Sequence, residues 1–241
     1  MISIIIPTFQ HAKEIEGCLR SILNQTFKDY EIIIVNDGST DNTLEVLEKY
    51  KNPPPLFWGK KWWRVKIINQ ENRGAAAARN RGFKESQGEF VLFCDADMVL
   101  KPEMLEKLKD ALEKNLEKSY AYCSFKFGWK KFKCGKFDAE KLKKMNYIHT
   151  SALIRREHFL GFDQSLKKFQ DWDLWLTMLE CGYEGVWLPE ILFKIKPRKK
   201  GISHWLPSFF YKLPLTKIGI YSKIIDNYQR TKNIIKNKHN L

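Results

Sequence analysis

The sequence predicts an α/β fold, with a mostly parallel sheet covered by helices on both faces and a basic amphipathic helical C-terminal tail. Short β-branched runs alternate with segments whose apolar residues recur at helical spacing. This alternation is typical of a parallel sheet covered by helices on both faces. Positive charge is concentrated beyond residue 190. We therefore expect one α/β domain at residues 1–200 and a basic extension at residues 201–241.

Four strand and helix pairs are predicted in the first half of the chain. ISIII forms a strand that ends at Pro7, and the next helix has the apolar residues Ile15, Cys18, Leu19, Ile22 and Leu23. YEIIIV forms the second strand, and the polar turn NDGSTDNT can cap the helix after it. RVKII precedes the helix GAAAARNRGFKES, and EFVLFC precedes a helix that begins near Pro102.

Later segments give weaker signals. YAYCSFKF alternates enough to suggest a strand, DWDLWLTMLECGY predicts a helix closed by Gly182, and GVWLP predicts a short strand. Residues 52–63 form an irregular insertion rich in proline and tryptophan. Its Trp58, Trp62 and Trp63 have three interpretations, namely an acceptor site, a membrane contact or a small core of the insertion itself.

The C-terminal residues carry most of the net charge of +14. Residues 191–241 contain 12 Lys or Arg and one acidic residue, whereas residues 1–190 are nearly balanced. An anionic partner is expected for this tail, either membrane lipid or nucleic acid. From Ile218 onward, apolar residues recur between basic ones, which indicates an amphipathic helix. Peripheral contact with an anionic membrane is the preferred interpretation, and packing of the helix on the domain is the alternative.

The sequence favours a cytoplasmic protein that can bind peripherally at the inner face of the membrane. No run approaches the ~20 apolar residues that span a bilayer. The segment MISIIIPTFQ is typical of a first strand and lacks the basic start of a signal peptide. The five cysteines are odd in number and include no C-x-x-C, as expected for a reduced chain.

Polar motifs follow the first, second and fourth predicted strands, namely PTFQ, NDGS and DAD. Ligands of α/β sheets bind beyond the carboxyl ends of the strands, so these motifs should meet at one rim. Asp95 and Asp97 lie in the last motif, after the apolar run FVLF. In a turn, both carboxylates can hold one Mg²⁺ or Mn²⁺. A solvated surface turn is the alternative for the pair considered alone.

Further candidates are predicted near the same rim. Asp37 ends the second strand, where it can accept hydrogen bonds from a ligand base or sugar. Arg79 suits a diphosphate because guanidinium groups bind phosphate through paired hydrogen bonds. Asp171 and Asp173 begin a helix, and one of them can cap it. Either carboxylate can also act as a general base. His204 is considered as a third metal ligand, but a structural role is favoured.

Together these motifs resemble the family 2 glycosyltransferases with the Rossmann-like GT-A fold. The resemblance covers most of residues 1–200 and rests on five segments in order, IIIPTFQ, SILNQTFKDYEIIIVNDGSTDNT, ENRGAAAARNRGF, GEFVLFCDADM and FQDWDLWL. Two positions depart from the family's pattern, with Gln170 in place of Glu and Asn36 in place of the commoner Asp. These departures bear on sugar and acceptor specificity.

The resemblance implies that the nucleotide donor binds at this rim. Pro7, Thr8 and Phe9 would form part of the pocket for the nucleotide base. Asp37 would contact that base, and Arg79 would contact the nucleotide moiety. Basic residues near the end of the domain are further candidates for the diphosphate, namely Lys196, Arg198, Lys199 and Lys200.

The resemblance also implies a metal site and a general base. Asp95 and Asp97 match the family's D-x-D motif, with Asp97 as the direct ligand of Mg²⁺ or Mn²⁺. Asp171 matches the aspartate that takes the proton from the acceptor hydroxyl in an inverting transfer. Asp173 remains a second candidate for that base.

The implied function is metal-assisted, inverting transfer of a sugar from a nucleotide diphosphate sugar to a glycan or lipid-linked acceptor. Synthesis of cell-surface polysaccharide or glycolipid is the expected setting, and nucleic acid is not expected as a partner. One rival is a nucleotidyltransferase, but PTFQHAKE lacks the glycine-rich loop expected after its first strand. The other is a non-catalytic module whose basic tail and aromatic residues bind nucleic acid.

Overall fold

The computed structural model describes residues 1–51, 65–197 and 219–241, with side chains described from residue 228 onward in the last segment. The tryptophan insertion, His204 and the predicted domain boundary at residue 200 lie outside these residues. So do three of the basic candidates for a diphosphate, Arg198, Lys199 and Lys200.

The described chain alternates strands and helices as the sequence predicts. The strands are β1 Ile2–Thr8, β2 Tyr30–Asp37, β3 Val65–Gln70, β4 Phe90–Phe93, β5 Met98–Leu100, β6 Tyr120–Phe127, β7 Lys130–Phe132, β8 Leu153–Arg155 and β9 Gly185–Ile195. The helices are α1 Ile15–Leu23, α2 Thr43–Lys51, α3 Ala75–Lys84, α4 Met104–Glu113, α5 Ala139–Lys144, α6 Gln170–Glu180 and α7 Gly219–Lys238.

These strands form one mixed sheet with the order β3-β2-β1-β4-β8-β6-β9-β5, and β7 pairs with β6. The first four strands of that order are parallel, as predicted from their alternation with helices. The other half is mixed, since β8 runs antiparallel to β4 and β6, and β5 runs antiparallel to β9. Strands β5, β7 and β8 have three residues each, which is too short for a hydrophobic period to reveal them.

Helices cover both faces of the sheet. On one face, Ile4 and Leu19 belong to a core cluster that also includes apolar residues of α4. On the other face, Ile5 packs in a cluster with Ala78 of α3 and Trp175 of α6. Adjacent residues of β1 therefore point into different cores, which explains why the strand is buried at every position.

Strand β1 continues one residue past Pro7, although the sequence predicts that it ends there. Pro7 lies opposite Val35 of β2. Pairing with β4 stops at Ile5, opposite Phe93. Beyond that point β1 has a neighbour on one side only, so the missing N–H of proline disrupts no pairing with β4.

The end of the C-terminal helix packs on the domain. The Ile235 side chain is fully buried in the same core cluster as Trp172. The ring of Tyr228 lies 5.3 Å from that of Phe169. For residues 228–241, the structure thus shows the packing that the sequence left as the alternative to membrane contact. Within the described residues, no helix has the length and hydropathy required to cross a bilayer.

Candidate active site

The two aspartates of the D-x-D motif lie in a turn between β4 and β5. The strand β4 ends at Phe93, and the backbone N–H of Cys94 donates a hydrogen bond of 2.9 Å to the carbonyl of Ile5 on β1. Both carboxylates are partly exposed. Because the turn follows β4 directly, Asp95 and Asp97 lie at the carboxyl edge of the parallel strands, where ligands of such sheets bind.

Arg79 of α3 connects this turn to helix α6. Its guanidinium donates hydrogen bonds to Asp95 Oδ1 at 2.7 Å and to Gln170 Oε1 at 2.9 Å. The side chain is 9% exposed, and its Nε is buried without a hydrogen-bond partner. Burial, the largest influence, opposes ionisation of Asp95, but the charge and hydrogen bond of Arg79 together with the nearby His149 and His11 outweigh it and hold the pKa of that carboxyl below its usual value.

Asp171 lies in the first turn of α6, next to the glutamine that Arg79 contacts. Phe169 precedes the helix in the left-handed conformation, with φ of 58°, and turns the chain sharply into it. Asp171 is partly exposed, and its Oδ1 accepts a hydrogen bond from the N–H of Trp172. The charges of Asp171 and of Asp95 in the D-x-D turn both act on one imidazole, that of His149, so the predicted base lies near this turn.

His149 is a member of this site that the sequence analysis missed. Burial lowers the pKa of its imidazole, although the carboxylates of Asp95 and Asp171 oppose the shift. Its Nδ1 accepts a hydrogen bond from the N–H of Ser151, so Nε2 is the nitrogen left for a ligand. An isolated histidine in a segment without clear periodicity gives no sequence signal for this position.

Asp37 has a structural function at the rim. Its carboxylate accepts hydrogen bonds from the side chain of Gln70 at 2.7 Å and from the N–H groups of Arg73 and Gly74 at 2.9 and 2.8 Å. These contacts hold the segment that leads into α3, and hence the start of the helix that carries Arg79. The predicted contact with a base stays a prediction for Asp37.

The residues after β1 form a wall with the loop after β2. The side chain of Gln10 donates to Thr40 Oγ1 and accepts from the N–H of Asp41. Phe9 is 41% exposed on this wall. Thr8 is 1% exposed, and its Oγ1 is buried without a hydrogen-bond partner. A buried hydroxyl without a hydrogen-bond partner is unusual.

Asp173 is not part of the group formed by Asp95, Arg79, His149 and Asp171, which is called the cleft below. It is 2% exposed and faces the end of α7, where Lys238 Nζ and His239 Nε2 lie 2.7 and 3.0 Å from its Oδ1. Its charge is therefore already paired inside the protein. This leaves Asp171 as the candidate for the general base.

The carboxylate oxygens of this site suit a hard divalent cation that is bound jointly by the protein and a substrate. In the described residues, no three His, Cys, Asp or Glu side chains are arranged to hold a metal ion without help. Two carboxylates at a turn are nevertheless what Mg²⁺ and Mn²⁺ use when substrate phosphates and water complete the shell. Asp97, with the second oxygen of Asp95, fits that requirement.

Comparison with known proteins identifies the family. The family model described as "Glycosyl transferase family 2" matches residues 3–169, which is more than half of the chain. The chain belongs to glycosyl transferase family 2. The matched region contains the D-x-D turn, Arg79 and His149, and it ends just before α6.

Several family 2 relatives are similar over part of their length. A cholesterol galactosyltransferase of Borreliella burgdorferi is 40% identical over 107 residues, which is 44% of this chain and 28% of that protein. A chondroitin synthase of Pasteurella multocida is 32% identical over 198 residues, 76% of this chain and 19% of that protein. The chain thus spans less than a third of the length of both relatives.

Solved structures confirm the GT-A glycosyltransferase fold. S. aureus TarS 1–349 in complex with UDP-GlcNAc matches with a TM-score of 0.68 and 21% identity, over 88% of this chain and 63% of that one. The mannosyltransferase PcManGT from Pyrobaculum calidifontis, in complex with GDP-Man and Mn²⁺, matches with a TM-score of 0.63 and 20% identity, over 83% and 58%.

Proposed function

We propose that this chain is an inverting glycosyltransferase that moves a sugar from a nucleotide diphosphate sugar to a hydroxyl of a glycan or lipid-linked acceptor. The observation that carries the proposal is the double contact of Arg79 with Asp95 and Gln170. This contact brings the D-x-D turn and the start of α6 together. An anion site and a candidate base thereby share one cleft.

The donor would bind at the carboxyl edge of the parallel strands. Phe9 offers an exposed ring for the base, and the unpartnered Thr8 hydroxyl offers one hydrogen bond to the nucleoside. The unpartnered Nε of Arg79 offers a charged donor toward the diphosphate.

Asp171 would act as the general base. It accepts the proton of the acceptor hydroxyl, whose oxygen attacks the anomeric carbon on the face opposite the diphosphate. The guanidinium of Arg79 would stabilise the negative charge that develops on the departing diphosphate. A divalent cation held by Asp97 and Asp95 would supply further neutralisation of the diphosphate.

The relatives support this assignment without fixing the substrates. TarS and PcManGT were solved with UDP-GlcNAc and with GDP-Man and Mn²⁺, and the Borreliella relative is a cholesterol galactosyltransferase. We propose a cytoplasmic protein that acts in the synthesis of surface polysaccharide or glycolipid. Residues 201–241 would add peripheral contact with an anionic membrane, through those side chains that do not pack on the domain.

A panel of nucleotide sugars with Mn²⁺ or Mg²⁺ tests the proposal. Thermal shift and release of the nucleoside diphosphate would be measured for each donor. We expect one donor to raise the Tm and to be hydrolysed, and Asp97→Ala to reduce hydrolysis on the order of 10²-fold. Asp110→Ala, which removes an exposed aspartate of α4, is the matched control and should behave like the parent.

Two results would contradict the assignment. One is hydrolysis by Asp97→Ala at the parent rate in the presence of metal, which would remove the D-x-D turn from the site. The other is release of pyrophosphate from a nucleoside triphosphate and a sugar phosphate with no turnover of any nucleotide sugar. That result would identify a nucleotidyltransferase instead.

A further inference from the structure

A hairpin beside the proposed active site concentrates positive charge. Strands β6 and β7 form it, and the segment from Lys126 to Lys136 contains five lysines without an acidic residue. We refer to residues 120–136 as the basic hairpin. It lies in the α/β domain and is separate from the basic C-terminal tail.

Three lysines form a row across neighbouring strands. Lys131 of β7 lies opposite Lys126 of β6, and Lys126 lies opposite Lys194 of β9. Like charges directly opposite each other destabilise a sheet. None of these three side chains pairs with a carboxylate in the part of the chain that the structure describes. The row therefore costs stability in the protein alone and favours an anionic partner.

A tryptophan occupies the tip of the same hairpin. Trp129 follows Gly128, whose φ of +58° makes the tight turn, and its side chain is 88% exposed. By contrast, Trp172 and Trp175 of α6 are at most 1% exposed. An exposed indole combines an apolar ring with one N–H donor, which suits the boundary between lipid headgroups and acyl chains.

The other face of the hairpin is packed and holds the lysine row in place. The ring of Phe125 stacks on Phe132 at 4.9 Å and on Phe193 at 5.2 Å. The imidazole of His149 lies 5.1 Å from the Phe125 ring. Successive side chains of a strand point to opposite faces, so this stack directs Lys126 away from the packed rings.

The hairpin tip is connected to the D-x-D turn through strand β9 and the residue after it. The N–H of Gly128 donates to the carbonyl of Ile195 at 3.0 Å. The next residue, Lys196, donates its N–H to the carbonyl of Asp97 at 3.0 Å. Two backbone hydrogen bonds therefore connect the hairpin tip to the turn that carries the proposed metal site.

We propose that the basic hairpin docks on an anionic lipid surface, with Trp129 in the headgroup region and Lys126, Lys131 and Lys194 on lipid phosphates. The arrangement favours lipid over nucleic acid. Single-stranded nucleic acid is bound by aromatic rings on the same face as the basic residues. Here the phenylalanines face the packed side, and the one exposed ring projects from the tip, as needed to enter a bilayer interface.

The proposal is independent of sugar transfer, and its test needs no nucleotide sugar. Sedimentation of the full chain with vesicles of phosphatidylcholine, with and without about 30% phosphatidylglycerol, measures binding at about 0.1 M salt. We expect binding that requires phosphatidylglycerol. Because the C-terminal tail is present in every variant, its contribution is the same throughout the series.

Charge substitutions identify the docking surface. We expect Lys126→Gln, Lys131→Gln and Lys194→Gln, combined, to weaken binding to the anionic vesicles on the order of 100-fold. The matched control replaces three exposed lysines at other places, Lys28→Gln, Lys84→Gln and Lys114→Gln, which changes the net charge equally. The control should lose much less affinity, and both proteins should keep the far-UV spectrum of the parent.

The depth of the Trp129 ring in the bilayer tests its predicted role. Lipids brominated near the headgroup should quench the fluorescence of the parent more strongly than that of Trp129→Phe. Trp129→Ala should also weaken binding several-fold. Leu116→Ala, which removes another exposed apolar side chain at 77% exposure, is its control and should bind like the parent.

Three outcomes would overturn the proposal. The first is equal loss of vesicle binding in the hairpin triple variant and the control triple variant, since that indicates an effect of net charge alone. The second is equal quenching of the parent and Trp129→Phe. The third is tighter binding of single-stranded RNA than of anionic vesicles, with the hairpin lysines required for it, which would assign the surface to nucleic acid.

Discussion

Helix α6 has two aspartates two residues apart, and the structure gives them different surroundings. Asp171 lies at the cleft, partly exposed and beside the glutamine that contacts Arg79. Asp173 lies on the flank that α7 covers, buried against Lys238 and His239. One carboxylate is available to a substrate, and the other holds the C-terminal helix. Residue type and spacing therefore identify candidate catalytic residues. The neighbours that each residue packs against determine which of these candidates can contact a substrate.

The flank around Asp173 is a small charged network. Lys238 Nζ lies 2.7 Å from both Asp163 Oδ2 and Asp173 Oδ1. His239 Nδ1 lies 2.7 Å from Glu180 Oε1. The last turn of α7 is thus tied to α6 and to the loop before it. We therefore expect substitutions at the cleft to lower activity and substitutions on the flank around Asp173 to lower stability.

The largest expected effect belongs to the cleft. Asp171→Asn should reduce sugar transfer on the order of 10²–10⁴-fold, because the amide cannot accept the proton of the acceptor hydroxyl. Thermal shift by the donor and the Tm without donor should stay close to those of the parent. Single-turnover transfer assays measure the rate, and Asp173→Asn is the matched control. If the two variants lose transfer equally while both stay folded, the distinction between the two aspartates is wrong.

The flank should show an intermediate effect on stability. Asp173→Asn leaves Lys238 and His239 without their shared carboxylate, and we expect a loss of ~2 kcal/mol in the free energy of unfolding. The loss is smaller than for a fully buried pair because the Lys238 side chain is 38% exposed and can reach water. Urea unfolding measures it. An unchanged unfolding midpoint would show that α7 does not depend on this contact.

The smallest effect is a pH dependence at Asp163. Hydrogen bonds from Lys238 and Ser165 lower the pKa of Asp163 to about 2. Because this is below the value in the unfolded chain, the group stabilises the fold above pH ~4, and the stabilisation is lost as the pH falls from ~4 to ~2. Solvent contact limits the contribution to ~1 kcal/mol.

Comparison with Asp163→Asn tests this dependence. Urea unfolding at several pH values between about 2 and 5 should show a steeper acid loss of stability in the parent than in the variant. Parallel curves over that range would mean that Asp163 does not contribute through its charge. Asp110→Asn, which removes the charge of an exposed carboxylate on α4, serves as a reference for the effect of one charge.

The first half of the fold was predictable because its strands are long enough to show their pattern. Strands β1 and β2 have seven and eight residues and are apolar on both faces, and polar turns mark their ends. The second half was less predictable, since β8 has three residues and joins two strands far apart in the chain. A strand of that length is stabilised by its neighbours, and neighbours are a property of the tertiary structure.

The candidate site shows the same limit. Asp95, Asp97 and Asp171 stand out in the sequence because carboxylates follow apolar runs or begin a helix. Gln170 stood out as a departure from the family's pattern, and the structure gives it a hydrogen bond from Arg79. His149 had no such mark, and its place beside Asp95 depends on how the segment before β8 crosses the sheet.

By itself, the sequence determined the alternation of strands and helices, the rim of polar residues and the membership in a transferase family, because periodicity and turn chemistry are local. Only the tertiary structure decided that Asp171 faces the cleft while Asp173 binds the end of α7, and that three lysines meet in one row. These outcomes depend on contacts between residues distant in the chain. Such contacts determine the solvent exposure, the charge partners and the hydrogen bonds of each residue.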